Sequence, residues 1–358
     1  MCVIKNDVSS YKAWLQRRNK KRLILRTQKK LAHKARLTRI NKRNQTLKLS
    51  EDYDSEIKCF RFHAPLVFSF VWAPGETCAF FSRIIRFITR RENHGKNLFI
   101  DVSKIIRLSS DALMYLLAIV NNLNWNFRGK FTFSGNAPDN PEVRKLFTES
   151  GFYRFVKYEG TQPITRNMDN IQIVSGEKSD TAVAKRICDF VCGKAGVSRK
   201  MCNFIYIMMI ELMSNTHKHA YANRRGVLLP RWYCFSEYDG KETISFTFMD
   251  TGDGIPSTVR KNFAERIDFM KLKGDNKYVI SALDGEFRTA TGQIHRGKGL
   301  PKIREFCAQK KIHGMRIITN YADVTVHEAW YDENNLSNSL TGTLYYWQVN
   351  ISELKEVS

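Results

Sequence analysis

Long apolar runs are absent from this sequence. No stretch reaches the roughly 18 to 20 apolar residues that a helix needs to span a bilayer. The basic N-terminus also lacks the apolar region of a secretory signal. The chain has 358 residues, of which 43% are hydrophobic and 12% aromatic, which suffices for two folded domains with buried cores. We therefore expect a cytoplasmic protein with no membrane span.

Paired cysteines are also scarce. The eight cysteines are scattered singly, and only Cys188 and Cys192 lie close together, at a spacing that suits one face of a helix. No second pair completes a zinc site. In a reducing compartment, we expect reduced and mostly buried thiols.

Acidic residues are almost missing from the start of the chain. Residues 1–50 hold 16 lysines and arginines against one acid, Asp7, whereas the net charge of the whole chain is +23. Residues 11–44 contain no Pro or Gly and favour a helix, so residues 1–56 are interpreted as a basic helical leader and linker. Four targets stay open for this leader: nucleic acid bound through residues 11–44, an acidic protein partner, an anionic membrane surface, or solvent alone.

Strand and helix patterns alternate after the leader, which predicts an α/β chain with helices packed on a sheet. Ser109 is expected to cap its helix, and Gly193 to end another. Residues 155–180 are interpreted as a polar passage. The predicted strands are 64–72, 97–102, 130–134, 241–249 and 341–349, and the predicted helices are 78–91, 109–123, 140–151, 181–192 and 198–222.

A carboxylate and a carboxamide lie one turn apart near the end of the predicted helix 198–222. Glu211 follows an apolar run, and Asn215 is four residues further on, on the same helix face. A base beside a neutral oxygen ligand for Mg²⁺ suits phosphoryl transfer. The alternative is a helix that surfaces at Glu211 and makes ordinary polar contacts.

A glycine-rich turn follows the predicted strand 241–249. It reads Asp250-Thr-Gly-Asp-Gly-Ile255, with glycines at 252 and 254. An aspartate at a strand end can accept a hydrogen bond from an exocyclic amine such as adenine N6, and the glycines let a flat ring approach the backbone. A plain tight turn is the alternative.

A second glycine pair follows in a basic setting. The segment reads Arg296-Gly297-Lys298-Gly299-Leu300 and precedes a predicted helix, a position that attracts phosphate. It is not a Walker A loop, because the required spacing of glycines, lysine and serine or threonine is missing. A generic basic turn is the alternative here.

Residues 57–160 resemble a STAS domain, the fold of anti-sigma-factor antagonists. The resemblance rests on Leu98-Phe-Ile-Asp-Val-Ser103, Leu108-Ser-Ser-Asp-Ala-Leu113 and the segment from Phe133 to Gly151. In that family an aspartate usually precedes a phosphorylated serine, whereas Leu108 precedes Ser109 here. A helix cap at Ser109 is therefore favoured over a phosphorylation site.

Residues 175–358 resemble the GHKL ATPase superfamily, with its Bergerat ATP-binding fold. The resemblance implies ATP and Mg²⁺ as cofactors, Glu211 as the catalytic base and Asn215 as the Mg²⁺ ligand. Asp250 is implied to face adenine, with Gly252, Gly254 and Ile255 beside it. The remaining implied nucleotide-binding residues are Arg296, Gly297, Lys298, Gly299, Leu300 and, in the final Gly342-Thr343 pair, Thr343.

The segment Glu211-Leu-Met-Ser-Asn-Thr-His-Lys-His-Ala-Tyr221 most resembles the anti-sigma serine kinases and their relatives. Histidine kinases usually lack a base at the position of Glu211, so its presence favours hydrolysis or transfer to a hydroxyl. The favoured function is a regulatory ATPase that couples Mg-ATP to a protein partner, with residues 256–296 as a lid. Two alternatives stay open: a protein serine/threonine kinase, and a non-catalytic ATP-gated clamp or scaffold on nucleic acid. Family analogy alone implies a homodimer.

Overall fold

The computed structural model describes residues 53–54, 56, 58–156, 169–216, 228–287 and 299–356. The chain divides into two units, Met1–Ser55 and Glu56–Ser358. Of the first unit, the described part is β1, Tyr53–Asp54. The predicted basic helix and its targets thus lie outside the described residues.

The second unit begins with an α/β half. Its strands β2, β4 and β6 pair in parallel, in that order, and the short β3 and β5 form a separate parallel pair. The bounds of the strands are β2 Cys59–His63, β3 Val67–Phe68, β4 Asn97–Asp101, β5 Arg107–Leu108 and β6 Thr132–Gly135; those of the helices are α1 Pro74–Thr89, α2 Ser110–Trp125 and α3 Pro141–Glu149.

A five-stranded antiparallel sheet follows, in the order β10-β11-β9-β8-β7. The strands are β7 Asn170–Gly176, β8 Trp232–Tyr238, β9 Thr243–Asp250, β10 His313–Val326 and β11 Tyr331–Asn350. The helices are α4 Thr181–Ala195, α5 Arg199–Asn215, α6 Ile255–Asn262, α7 Ala264–Met270, α8 Asp275–Leu283, α9 Gly299–Ala308 and α10 Ile351–Glu356.

The five-stranded sheet is buried on both faces. Side chains alternate along each strand, so Phe246 and Trp347 enter a core with α4, α5 and α9. On the other face, Thr247 contacts Ser110 of α2, and Tyr233 accepts a hydrogen bond from Asn121 of the same helix. The sheet therefore lies between two helical layers, and the predicted α/β chain with an α+β sandwich is confirmed.

Several predicted boundaries are wrong, and each error has a local cause. Predicted strand 64–72 contains only the two-residue β3, because the chain bends at Leu66 just before it and turns at residues 70–72 just after it. α4 runs past Gly193 and ends at Gly196, whose φ of 67° suits a left-handed helix end. Ser109 precedes α2 without a side-chain cap bond, because its hydroxyl donates to Asp111. The polar passage 155–180 contains β7, an edge strand of the large sheet.

The cysteine prediction is confirmed for the described residues. Cys59, Cys78, Cys188, Cys192, Cys202, Cys234 and Cys307 are free thiols, and all except Cys192 are buried. Burial raises the pKa of Cys78 to about 12, which keeps that thiol protonated. Among the described helices, none has both the length and the apolar character to cross a bilayer.

Candidate functional site

Helix α5 carries the Glu211 and Asn215 side chains. Met208, Met209 and Leu212 of the same helix are buried in the core, which fixes the rotation of the helix about its axis. Glu211 and Asn215 are half-buried, one turn apart at its C-terminal end. The two side chains therefore lie side by side on a helix that the core holds in place.

Gly299 lies directly against this pair. A Cβ atom built on Gly299 would come 2.8 Å from Glu211 Oε2 and 3.0 Å from Asn215 Nδ2. Gly299 begins α9, whose Ile303 and Phe306 are buried against the same core as α5. The fold thus brings the first described residue of α9 to a carboxylate and a carboxamide.

Asp250 ends β9 between two neighbouring strands, opposite Trp232 on β8 and Thr343 on β11. Its Oδ1 accepts a hydrogen bond of 2.9 Å from the Gly252 N–H. Burial raises the pKa of Asp250 to about 6, although hydrogen bonds from Gly252 and Thr343 act in the opposite direction. Near neutral pH, Asp250 is therefore a carboxylate acceptor that gains a proton on mild acidification.

The turn after Asp250 is held by strand β10. Ile255 N–H donates to Thr319 Oγ1 over 3.1 Å, and Asn320 Nδ2 donates to the Asp253 carbonyl over 3.1 Å. Gly254 has a φ of 83°, and a Cβ atom there would come 2.7 Å from both Thr319 Oγ1 and Asn320 Nδ2. Only glycine satisfies both the backbone angle and the close approach.

Gly342 brings β11 equally close to this turn. Its φ is 97°, and a Cβ atom there would lie 1.9 Å from the Asp250 carbonyl oxygen. Thr319 Oγ1 donates to the Gly342 carbonyl over 2.9 Å and lies 3.3 Å from Thr343 Oγ1, which is buried. One threonine therefore joins the Asp250 turn to the Gly342-Thr343 pair.

A small apolar cluster connects the two parts of the site. Ile255, which follows the Asp250 turn, and Leu300, which follows Gly299, both pack against it and against the main core. The buried members of the cluster are Val259, Ile267, Tyr278, Ala282 and Phe287. The turn and the start of α9 thus share one apolar support.

The comparisons with known proteins give structural likenesses and no match of sequence family. No family model and no curated protein matches the chain. A match among solved structures is the histidine kinase domain from the Erythrobacter litoralis EL346 blue-light activated histidine kinase. It is 13% identical, covers 78% of this chain and 96% of that chain, and has a TM-score of 0.23. At such a TM-score the likeness carries no argument about activity.

The sequence-predicted residues fall into three groups. Two sets come together in space: Glu211 and Asn215 with Gly299 and Leu300, and Asp250, Gly252, Gly254 and Ile255 with Thr343. The third group, Arg296, Gly297 and Lys298, lies outside the described residues, as do His217 and His219. The chemical roles of all these residues stay predictions.

Sequence reasoning missed Thr319 and Asn320, which support the turn from a strand far away along the chain. Their segment, Ile317-Ile-Thr-Asn-Tyr321, carries no recognisable motif. One weak signal is an asparagine after an apolar run, since asparagine tolerates the positive φ of 50° that Asn320 adopts. Thr251 was part of the predicted turn, yet its hydroxyl is turned inward and donates to the Leu229 carbonyl.

Proposed function

We propose that residues 175–358 bind Mg-ATP and act as a regulatory ATPase of the GHKL type, coupling the state of the nucleotide to a protein partner. The observation that carries this proposal is the meeting of Glu211 and Asn215 with Gly299. A carboxylate and a neutral oxygen are the partners that an attacking nucleophile and Mg²⁺ require, and the predicted helix start at the second glycine pair is the proposed contact for phosphate.

Asp250 supports the adenine end of the proposed site. It is a carboxylate near neutral pH, and it stands at a strand end. In the proposal it accepts a hydrogen bond from the exocyclic amine of adenine. Hydrogen bonds from Gly252 and Thr343 fix the position of its oxygens.

Mg²⁺ fits a site with few protein ligands. Among the described residues, no cluster of three or more His, Cys, Asp or Glu side chains forms a metal cage. Mg²⁺ usually keeps several waters and is shared between one or two protein oxygens and substrate phosphates. Asn215 Oδ1 is the proposed protein ligand, with Arg296, Gly297, Lys298, Gly299 and Leu300 contributing to the phosphate end.

Bound Mg-ATP supplies the phosphoryl group for the reaction. Glu211 Oε2 faces the start of α9, so its proposed role is to orient an attacking water and take its proton. Asn215 and the backbone from residue 299 hold the adjacent groups in position.

The proposal is tested with the purified full chain, labelled ATP and Mg²⁺. Phosphate release indicates hydrolysis, whereas a labelled protein indicates transfer to a hydroxyl. Glu211→Gln is expected to bind ATP with nearly unchanged affinity and to lose turnover by about a hundredfold or more. Wild-type turnover in Glu211→Gln contradicts the assigned base.

Two further variants separate binding from chemistry. Asp250→Asn is expected to lose ATP affinity, because a carboxamide lacks the charge that strengthens a bond from the adenine amine. Glu305→Gln, on the exposed side of α9, changes one carboxylate on the same helix and serves as the matched control. A wild-type chain that binds no ATP rules out the proposed function.

A further inference from the structure

Helix α2 belongs to the α/β half, yet it lies on the face of the five-stranded sheet that is remote from α5. It is buried without interruption from Asp111 to Leu123. Two of its polar side chains, Tyr115 and Asn122, are almost fully buried within this layer, with exposures of 1% and 0%. Buried polar groups are expected to have hydrogen-bond partners, and the partners here lie beside the Asp250 turn.

Tyr115 reaches the strand that carries Thr343. Its hydroxyl donates to the Thr341 carbonyl over 3.1 Å, and Thr341 immediately precedes the Gly342-Thr343 pair. Gly342 lies directly against the backbone of Asp250, and Thr343 donates a hydrogen bond to the Asp250 side chain. The phenol of Tyr115 therefore fixes β11 two residues before its contact with Asp250.

Asn122 reaches the opposite side of the same turn. Its Oδ1 accepts a hydrogen bond of 3.2 Å from the Leu229 N–H. The Leu229 carbonyl accepts from the hydroxyl of Thr251, which is the residue after Asp250. Removal of the Asn122 amide would leave the partly buried Leu229 N–H without this acceptor.

Asp250 thus lies between two chains of contacts that both begin on α2. One passes through Thr341 and Gly342, and the other through Leu229 and Thr251. We infer that Tyr115 and Asn122 are positioning residues for the adenine end of the proposed nucleotide site. The α/β half then sets the affinity for nucleotide through α2. This inference rests on the proposed function.

The inference predicts which part of the bound nucleotide loses contacts when α2 is changed. A change in α2 displaces Asp250 and its neighbours, which face the base in the proposed site. It leaves Glu211, Asn215 and Gly299 in place, because the helices that carry them, α5 and α9, pack in the core on the other face of the sheet. Affinity for ATP should fall, whereas affinity for inorganic tripolyphosphate, which has no base, should not.

The test compares Tyr115→Phe, Asn122→Ala and Ser110→Ala in the full chain. Ser110 is the matched control: its hydroxyl bonds Thr247 across the same helix–sheet interface, away from the Asp250 turn. Dissociation constants for ATP and for inorganic tripolyphosphate, both with Mg²⁺, are measured by calorimetry. Unfolding midpoints are measured in parallel.

Tyr115→Phe and Asn122→Ala are each expected to weaken ATP binding about fivefold or more while tripolyphosphate binding stays within twofold. Ser110→Ala is expected to change neither constant. Equal losses for the two ligands, or unchanged ATP affinity in both α2 variants, overturn the inference. If one variant does not fold, the other decides.

Failure of the inference and failure of the proposed function give different results. If Asp250→Asn loses ATP affinity while both α2 variants bind as wild type, the nucleotide site stands and the role of α2 is wrong. If the wild-type chain binds neither ATP nor tripolyphosphate, both are wrong.

Discussion

The Glu211 carboxylate lies so close to the backbone of Gly299 that no side chain fits between them. A Cβ atom at position 299 would come 2.8 Å from Glu211 Oε2, well inside ordinary van der Waals contact. The predicted base and a predicted nucleotide-binding glycine are therefore in direct contact. A substitution at position 299 therefore tests whether this arrangement is needed for activity.

Gly299→Ala is expected to lower ATP turnover by at least about tenfold without unfolding the chain, because the new methyl group must push Glu211 and Asn215 or the start of α9 out of position. Steady-state phosphate release and the unfolding midpoint are measured together. Gly193→Ala is the matched control, since it lies inside α4 with nothing within 4 Å of the added Cβ. Normal turnover in Gly299→Ala would show that this contact is not needed for activity.

Gly342→Ala is expected to destabilise the fold by about 3 kcal/mol or more, since it combines backbone strain with a clash. The added Cβ would lie 1.9 Å from the Asp250 carbonyl oxygen, so β9 and β11 must separate locally. Gly240→Ala isolates the strain, because φ is 78° there and the Cβ meets nothing within 4 Å. Denaturant unfolding measures both, and equal losses would mean that the clash is relieved at no cost.

The pKa of Asp250, raised by burial to about 6, gives opposite pH effects on stability and on affinity. The folded state holds the proton more tightly than the unfolded state does. This contribution to stability is therefore full below the unfolded pKa near 4 and is lost as the pH rises through about 6. ATP affinity should instead fall as the pH drops through about 6, because the bond from adenine loses its charged acceptor.

Two measurements check the predicted directions of the pH effects on stability and on ATP affinity. The unfolding midpoint of wild type relative to Asp250→Asn should increase on acidification from pH 7.5 to 5. The ratio of ATP affinity to tripolyphosphate affinity in wild type should decrease over the same range, and the ratio removes the titration that the two ligands' phosphates share. A ratio that is constant across pH 6 would argue against Asp250 as the acceptor for the base.

Arg316 and Asp323 form a paired bridge on β10, with two contacts of 2.7 Å, and Asp323 is only 2% exposed. Arg316 also donates to the Val71 carbonyl of the α/β half. Arg316→Met should lower the free energy of unfolding by about 3 to 5 kcal/mol, because a buried carboxylate loses its partner. The double variant Arg316→Met/Asp323→Leu should recover much of that loss, as denaturant unfolding would show.

Arg199→Met provides the contrast, since it breaks an ion pair with Asp189 that is exposed to solvent. Its unfolding midpoint should stay close to that of wild type. If Arg316→Met behaves like Arg199→Met, the buried pair does not contribute to the joining of the two halves.

The sequence alone predicted the elements whose signals are local. The predicted helix 140–151 agrees at its start with α3, where the Asn140 side chain accepts hydrogen bonds from two N–H groups of the first turn. The sequence also predicted the one-turn spacing of Glu211 and Asn215 and the turn after Asp250. Gly193 misled the prediction of a helix end, because a glycine inside a helix costs only about 1 kcal/mol and packing on the core can offset it.

Contacts between distant residues were decided by the tertiary structure. Neither the support of the Asp250 turn by Thr319 nor the approach of Gly299 to Glu211 has a local signal. The sequence also gave no sign that α2 would pack on the second face of the sheet, where Tyr115 and Asn122 reach towards Asp250. Periodicity and turn chemistry act over a few residues, whereas these contacts depend on which buried faces pack together. The sequence by itself therefore determined which residues could form a nucleotide site, and the packing of both helical layers on one sheet decided which of them meet.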